Sequence, residues 1–255
     1  MKRMQKGFTL IEVIGVMFII AILATAIAPS VIQQIDRTRN DVESNSLQNI
    51  AELIEVEVQR NQVVPSRNTW VDNIDDHFSG PSNELSEVGN GERVLHTNVD
   101  GNTGGDYDQQ SLFEAGPDPI GNLSTTAPNV RTLLVSNIDQ DLPNGNLNAS
   151  DFDAAWSQSG SVPSGYVEEE PVHIQRINFS SLFVGISFNR AAGDTKNQAS
   201  WGLVNSTTDR SITGSSTVYL LKGSQVRLLD ASVQEHVVIL ERPMNFTYDN
   251  GAWSW

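Results

Sequence analysis

An unbroken apolar segment near the N-terminus constrains this chain more than any other feature. Residues 8–28 form a run of 21 residues in which Glu12 is the only charged side chain. At about 1.5 Å per residue, a helix of this length extends about 30 Å, which matches the hydrocarbon core of a bilayer. The segment is therefore predicted to cross a membrane as a helix.

The single charge in this segment needs a reason. A carboxylate near the centre of a membrane-spanning helix costs about 2.5–3.5 kcal/mol even on the insertion scale, so Glu12 is expected to have a function and a partner. The cations Lys2, Arg3 and Lys6 precede the segment, and no acid occurs among the first seven residues. This asymmetry predicts a cytoplasmic N-terminus and a C-terminal region on the far side of the membrane.

Residues 6–13 read Lys-Gly-Phe-Thr-Leu-Ile-Glu-Val and follow a short cationic leader, and Pro29 comes just after the apolar run. This stretch resembles the N-terminus of type IV pilins and type II secretion pseudopilins. The resemblance implies that a prepilin peptidase cleaves between Gly7 and Phe8 and methylates the new amino group. It also implies an inner-membrane precursor that an assembly platform builds into a filament with other pilin subunits. Glu12 would then pair with the terminal amino group of a neighbouring subunit, which offsets the cost of burying its charge.

Two other interpretations of the segment stay open, a secretory signal and a plain membrane anchor. Residues 24–26 and 26–28 offer small-x-small cleavage sites for a signal peptidase. Against a secretory signal, Glu12 interrupts the apolar run, Pro29 directly follows the second site, and the run exceeds the usual length of roughly 7–15 residues. We favour the prepilin interpretation.

The resemblance leaves the kind of filament open. Cleavage after the seventh residue leaves 248 residues. That length is long for a major pilin, so the resemblance favours a minor subunit of a type IV pilus. A type II secretion pseudopilin is the alternative, although the retained Glu12 argues against a tip pseudopilin. A pilus-borne adhesive or binding module is a further alternative.

The composition agrees with an exported acidic domain. The formal charge is −15, and without the three leader cations the chain has 13 basic and 31 acidic residues, a charge of −18. Nucleic acid is not an expected partner, because binding to phosphates relies on clustered Lys and Arg that this chain lacks. The chain has no cysteine, so its stability must come from the core, the long helix or a bound ion.

Helical periodicity continues beyond the apolar run. Apolar residues recur at intervals of three, four and seven, as on one face of a helix: Ile32, Ile35, Val42, Ile50, Leu53, Ile54 and Val58. We predict one helix over residues 8–60, and Asn61 and Pro65 are the residues that terminate it. Pro29 predicts a kink or local melting within it, because proline lacks the backbone donor and clashes with the preceding turn.

The remaining chain predicts a long surface loop followed by an antiparallel sheet. Residues 79–130 are rich in Gly, Asn, Ser, Asp and Pro, which favours a loop. Strand-like runs then occur at 131–138, 172–178, 182–188, 218–221, 226–229, 236–240 and 246–248. The predicted fold class is α+β and pilin-like, with a long N-terminal helix packed on an antiparallel sheet. The predicted divisions are a leader (1–7), a membrane-spanning assembly helix (8–32), its amphipathic continuation (33–62) and an extracytoplasmic domain (63–255).

Two turns predict hairpins in the C-terminal part. Gly223-Ser224 is typical of a two-residue turn between residues 219–222 and 225–228, and Asn250-Gly251 is the stronger signal for a type I′ turn. The second turn predicts a register that places four aromatic side chains on one face: Phe246, Tyr248, Trp253 and Trp255. A hairpin that closes the core is favoured over an exposed adhesive patch.

Residues 139–152 resemble a calcium-binding loop of the EF-hand type. Candidate ligands are Asp139, Asp141, Asn144, Asn146 and Asp151. The pattern departs from that of an EF-hand because its first half fits only if a residue is inserted near Pro143, and because the last acid is Asp where Glu is usual. An acidic turn with a helix cap at Ser150 or Asp151 is the favoured alternative. A weaker calcium candidate comprises Asp100, Asn102, Asp106 and Asp108.

No pattern in the sequence predicts catalysis. The chain has no nucleophile elbow, paired-histidine metal motif or phosphate-binding loop, and its four histidines are scattered. The acidic run at residues 168–170 is typical of a solvated surface. We therefore expect a structural protein and not an enzyme.

Overall fold

A single helix of 52 residues, α1 (Leu10–Asn61), begins the part of the chain that the structure describes. The structure is a computed structural model and describes residues 10–61, 63–99, 110–111, 129–143, 145–189, 198–202, 210–212, 215–230, 232 and 234–255. The chain divides into two compact units, Met1–Asn45 and Ser46–Trp255, so that the boundary falls inside α1. The predicted divisions at residues 7, 32 and 62 stay predictions.

The first unit has no core of its own among its described residues. Its large apolar side chains, from Leu10 to Val42, are 45–80% exposed. Ile32, Ile35 and Val42, which continue the predicted apolar face, are among the exposed residues. The helix continues through Pro29, so the predicted local melting does not occur there. Proline removes one helical donor only, and the turns on both sides retain theirs. The predicted kink stays a prediction.

The second unit contains the other helices and all the strands. The helices are α2 (Trp70–Ile74), α3 (Asn83–Ser86) and α4 (Ala149–Ser157), with 3₁₀ turns at Asp75–His77 and Phe179–Leu182. The strands are β1 (Val63–Val64), β2 (Glu87–Val88), β3 (Gly91–Val99), β4 (Gln110–Ser111), β5 (Val130–Asn137), β6 (Val172–Asn178), β7 (Phe183–Asn189), β8 (Gln198–Gly202), β9 (Arg210–Ile212), β10 (Ser216–Leu221), β11 (Gln225–Leu229), β12 (Glu235–Ile239), β13 (Met244–Asp249) and β14 (Ala252–Ser254). The α+β class is confirmed, and the seven predicted strands are present with ends within two residues of those predicted.

The first sheet has the order β2-β3-β5-β6 and lies between helices. One face packs against the last turns of α1, where Leu47, Ile50, Ile54 and Val58 are buried in a core shared with Leu134. The opposite face packs against α4, where Phe152 and Ala155 join a separate cluster. The predicted loop at residues 79–130 is therefore wrong in part, because β3 is a central strand. The side chains of β3 include buried polar groups such as His96 and Thr97, which concealed the alternation expected of a strand.

The second sheet has the order β10-β7-β13-β14 and the third has the order β12-β11-β8-β9. A cluster that includes Ile186 and Phe246 from the second sheet and Val226 and Leu228 from the third forms their common core. The pairing of β13 with β7 is parallel, whereas the sequence predicted antiparallel pairing throughout. A short pair, β1 with β4, completes the strands of the described residues.

The predicted hairpin at Gly223-Ser224 is wrong. β10 pairs with β7, and β11 pairs with β8 and β12, so the two consecutive strands lie in different sheets. The turn residues instead bond to the end of β12: the N–H of Gly223 donates to the carbonyl of Leu240 over 2.7 Å, and the N–H of Leu240 donates to the carbonyl of Ser224 over 2.9 Å. Burial of Val218 and Leu220 between the two sheets therefore outweighs the local preference for a turn.

Candidate functional site

The candidate site is the N-terminal part of α1. Glu12 lies in the first described turn of the helix and is exposed. The next charged residue along the chain is Asp36, and no described residue forms a hydrogen bond or ion pair with the Glu12 side chain within this chain. Gly7 and Phe8, the predicted processing residues, lie outside the described residues.

The surface around Glu12 is apolar and uncovered. Val16 lies one helical turn further along the same face and is 50% exposed. An added Cβ at Gly15 would meet no atom within 4 Å. By length and composition α1 is a helix that could cross a membrane, and the chain itself buries none of its apolar stretch. A lone acid on an apolar helix is costly to place in a membrane unless it has a partner, and the described residues of this chain supply none.

The acidic stretch predicted to bind calcium begins a helix. Among its five candidate ligands, Asn144 lies outside the described residues, Asp139, Asp141 and Asn146 are exposed, and Asp151 is half-buried. The described residues bring no three His, Cys, Asp or Glu side chains together in a metal-binding group. The calcium site therefore stays a prediction, and the weaker cluster from Asp100 to Asp108 lies outside the described residues.

The N-cap of α4 is Asn148, not the predicted Ser150 or Asp151. Its side-chain oxygen accepts a hydrogen bond from the N–H of Asp151 over 2.9 Å, and its Nδ2 donates to the Asp151 carboxylate over 2.7 Å. The sequence signal was present, because Asn is a preferred N-cap residue and an acid at the third helical position complements it. The Arg67 guanidinium also donates to the carbonyl of Gly145 and holds the loop before the cap.

The C-terminal hairpin closes the second core, as predicted. Tyr248 lies opposite Trp253, and Asn250 and Gly251 both have positive φ, as a type I′ turn requires. The indole N–H of Trp253 donates to the carbonyl of Leu229 over 3.1 Å. An exposed aromatic patch is not formed, because Phe246 and Trp253 are buried and of the four aromatics only Trp255 is exposed.

A carboxylate with a lowered pKa closes the turn between β11 and β12. The Asp230 side chain accepts hydrogen bonds from the hydroxyl of Ser232 over 2.7 Å and from the N–H of Gln234 over 2.8 Å. The bond from the Ser232 hydroxyl is the largest cause that holds the pKa of Asp230 below its ordinary value. This arrangement satisfies backbone donors in a turn, so its role is structural.

Comparison with known proteins gives one match. Residues 2–28 match the family described as the prokaryotic N-terminal methylation motif. The match includes Gly7, Phe8, Glu12 and the apolar run that the sequence analysis singled out. No curated protein and no solved structure gives a significant match to the chain.

The motif and the fold agree with each other. A long apolar N-terminal helix followed by antiparallel sheets is a pilin-like layout. The motif implies processing by a prepilin peptidase and assembly with other pilins, and it marks a structural family. At residues 2–28 the chain carries the prepilin-type signal of type IV pilins and pseudopilins.

Proposed function

We propose that this protein is a structural subunit, and a minor one, of a type IV pilus-like filament. The observation that carries the proposal is the contrast along α1. Over residues 10–28 the helix is exposed and, apart from Glu12, without charge, whereas from Leu47 onwards one of its faces is buried in the core of the second unit. An exposed apolar helix of this length is stable only in a bilayer or against other helices.

The proposed sequence of events starts with insertion of the precursor into the inner membrane with its N-terminus in the cytoplasm. The peptidase removes residues 1–7 and methylates Phe8, and the assembly platform then moves the helix from the bilayer into the filament. In the filament Glu12 pairs with the terminal amino group of a neighbouring subunit. The acidic second unit faces the outside of the filament, at the cell surface or in the periplasm.

Two alternatives share the same helix. A type II secretion pseudopilin would use the identical processing and pairing, and a pilus-borne adhesive module would add ligand binding by the second unit. We propose a subunit without enzymatic activity, because its N-terminal motif marks a structural family.

The first experiment measures the intact mass and N-terminal sequence of the protein from cells that contain the peptidase. A chain that starts at Phe8 and carries one extra methyl group is expected. A chain that starts at residue 27 or 29 would identify a secretory signal and contradict the proposal. A chain that retains residues 1–7 would identify a plain anchor and also contradict it.

The second experiment tests the pairing of Glu12. Glu12→Val removes the charge and favours the bilayer, so this variant is expected to be processed normally but to remain in the membrane fraction when filaments are sheared from the cells. Glu55→Gln changes an exposed acid of the same helix and serves as the matched control, which should enter filaments like the wild type. Normal incorporation of Glu12→Val would contradict the proposed ion pair.

A further inference from the structure

Uncharged polar side chains form contiguous rows on the outer face of the second sheet, where the exposed Asp249 at the end of β13 also lies. Thr217 on β10 lies opposite Ser187 on β7, and Ser187 lies opposite Asn245 on β13. A second row places Asn189 beside Thr247, which lies opposite Ser254. The inner face of these strands is occupied by the apolar core, so the polar side chains are directed to solvent, as the alternation of a strand requires.

These rows line a shallow groove of about 660 Å³. Seven of its eight lining residues are Ser, Thr or Asn, and the eighth is Phe188. None of the eight is charged, although the chain as a whole has 47 charged residues among 255. Among the described residues, the lining of this groove is therefore uncharged, on a protein that is strongly acidic as a whole.

The donors and acceptors of this groove match those of a sugar. Ser and Thr hydroxyls and Asn amides can both donate and accept hydrogen bonds, as sugar hydroxyls do. The hydroxyl oxygens of Ser187 and Thr217 lie 3.0 Å apart, and this bond holds both side chains in place across the two strands. Sites of this kind use a few placed polar groups to fix the orientation of a ligand.

An aromatic side chain extends the same face beyond the groove. Tyr219 is half-buried and lies two residues beyond Thr217 on β10. One edge of its ring covers Gly185, where an added Cβ would lie 3.1 Å from the ring atom Cε1. The glycine therefore lets the ring lie close to the sheet. A ring with an apolar body and a polar hydroxyl is suited to a sugar, which is apolar on its C–H faces and polar at its edges.

We infer that this groove, with Tyr219 beside it, binds a neutral polysaccharide. The net charge of the chain disfavours polyanions such as nucleic acids or uronic-acid polymers. A flat, open face suits an extended polymer that contacts several side chains in a row. The groove residues lie wholly in the second unit, so their binding can be measured on the unassembled chain.

The test uses the full chain in a detergent without a sugar head group. Native gels cast with dextran, mannan or hydroxyethyl cellulose measure the affinity as loss of mobility, and a gel with polygalacturonate is the anionic comparison. At least one neutral polymer is expected to retard the wild type, and polygalacturonate is not. The inference would be overturned if no neutral polymer lowered the mobility relative to a gel without polymer, or if polygalacturonate retarded the protein as much as the neutral polymers do.

Variants of one groove residue locate the site. Asn245 is exposed, and Asn245→Ala removes a donor and an acceptor with an expected loss of affinity of about tenfold. Asn245→Asp retains the shape of the side chain but removes the donor and adds a charge, so its affinity should be no higher than that of Asn245→Ala. The matched control is Asn68→Ala, at an exposed residue of the same unit that is distant in the sequence from the groove residues. This variant is expected to bind like the wild type. Melting temperatures confirm that all variants fold, and wild-type affinity of both Asn245 variants would overturn the proposed site.

Discussion

The N-cap of α4 gives a prediction whose magnitude follows from two hydrogen bonds. Asn148→Ala removes the acceptor for the N–H of Asp151, one of the first helical donors, which have no partner within the helix. Loss of such a cap costs about 1 kcal/mol, within a range of roughly 0.5–2. The exposed bond from Nδ2 to the Asp151 carboxylate adds only a few tenths, about the value of a surface ion pair.

The consequence reaches the core because Phe152 occupies the first turn of α4 and is 1% exposed. If loss of the Asn148 cap lets this turn fray, the ring of Phe152 becomes exposed to solvent. For a unit of this size, about 1 kcal/mol lowers the melting temperature by about 2–4 °C.

Asn148→Ser separates the two bonds, since a serine hydroxyl still accepts from the N–H of Asp151 but cannot replace the amide donor. We expect Ser at this position to retain most of the stability that Ala loses. Hydrogen exchange followed by mass spectrometry of the full chain should show faster exchange at residues 149–157 in Asn148→Ala only. Equal melting of Asn148→Ala and the wild type, or equal losses in both variants, would refute the reasoning.

Three further predictions address packing, pH and metal binding. Gly91→Ala should prevent stable folding of the first sheet, because the added Cβ would lie well inside 3.0 Å of two backbone oxygens. In the control Gly160→Ala the added Cβ meets no atom within 4 Å, so only the positive φ should lower the stability, by about 1 kcal/mol. Similar melting temperatures of the two variants would contradict the predicted clash. The bond from Ser232 lowers the pKa of Asp230 in the folded protein. The ionised carboxylate therefore stabilises the fold fully above its unfolded pKa of about 4, and this stabilisation is lost as the pH falls through the lower pKa of the folded state. The difference in melting temperature between the wild type and Asp230→Asn should narrow as the pH falls through this range, and a constant difference would contradict the prediction. If residues 139–151 bind calcium, millimolar calcium must raise the melting temperature over that in chelator, and equal temperatures would discard the calcium hypothesis.

Elements with strong local signals were predictable from the sequence. The apolar run and the helical spacing after it predicted α1, and Asn61 and Pro65 predicted its end. The Asn250-Gly251 turn predicted its hairpin and register, since both residues tolerate positive φ. The prepilin-type signal was recognised from its glycine, its acid and the apolar run around them.

Elements that depend on distant partners were not predictable. β3 contains the buried polar residues Arg93, His96, Thr97 and Asn98, and their partners include residues that are distant in the sequence. The hydroxyl of Thr97, for example, contacts that of Thr132 over 3.1 Å and donates to the carbonyl of Pro65 over 3.2 Å. The choice of β7 and not β11 as the partner of β10 is likewise decided by the shared core of two sheets.

The interleaving of the second and third sheets has a consequence for export. β7 receives its parallel neighbour β13 only after five intervening strands, four of which belong to the other sheet. In the proposed export, the second sheet therefore cannot be completed while the last residues are still inside the cell, and long-range pairings of this kind form slowly. In the proposed topology the N-terminus stays in the cytoplasm and the segments after α1 emerge in chain order, so β7 would have an open edge until β13 emerges. Pairing of β13 and β14 thus covers the open edge of β7 and completes the second sheet. Truncation before Met244 should therefore leave an aggregation-prone chain and not a smaller stable domain.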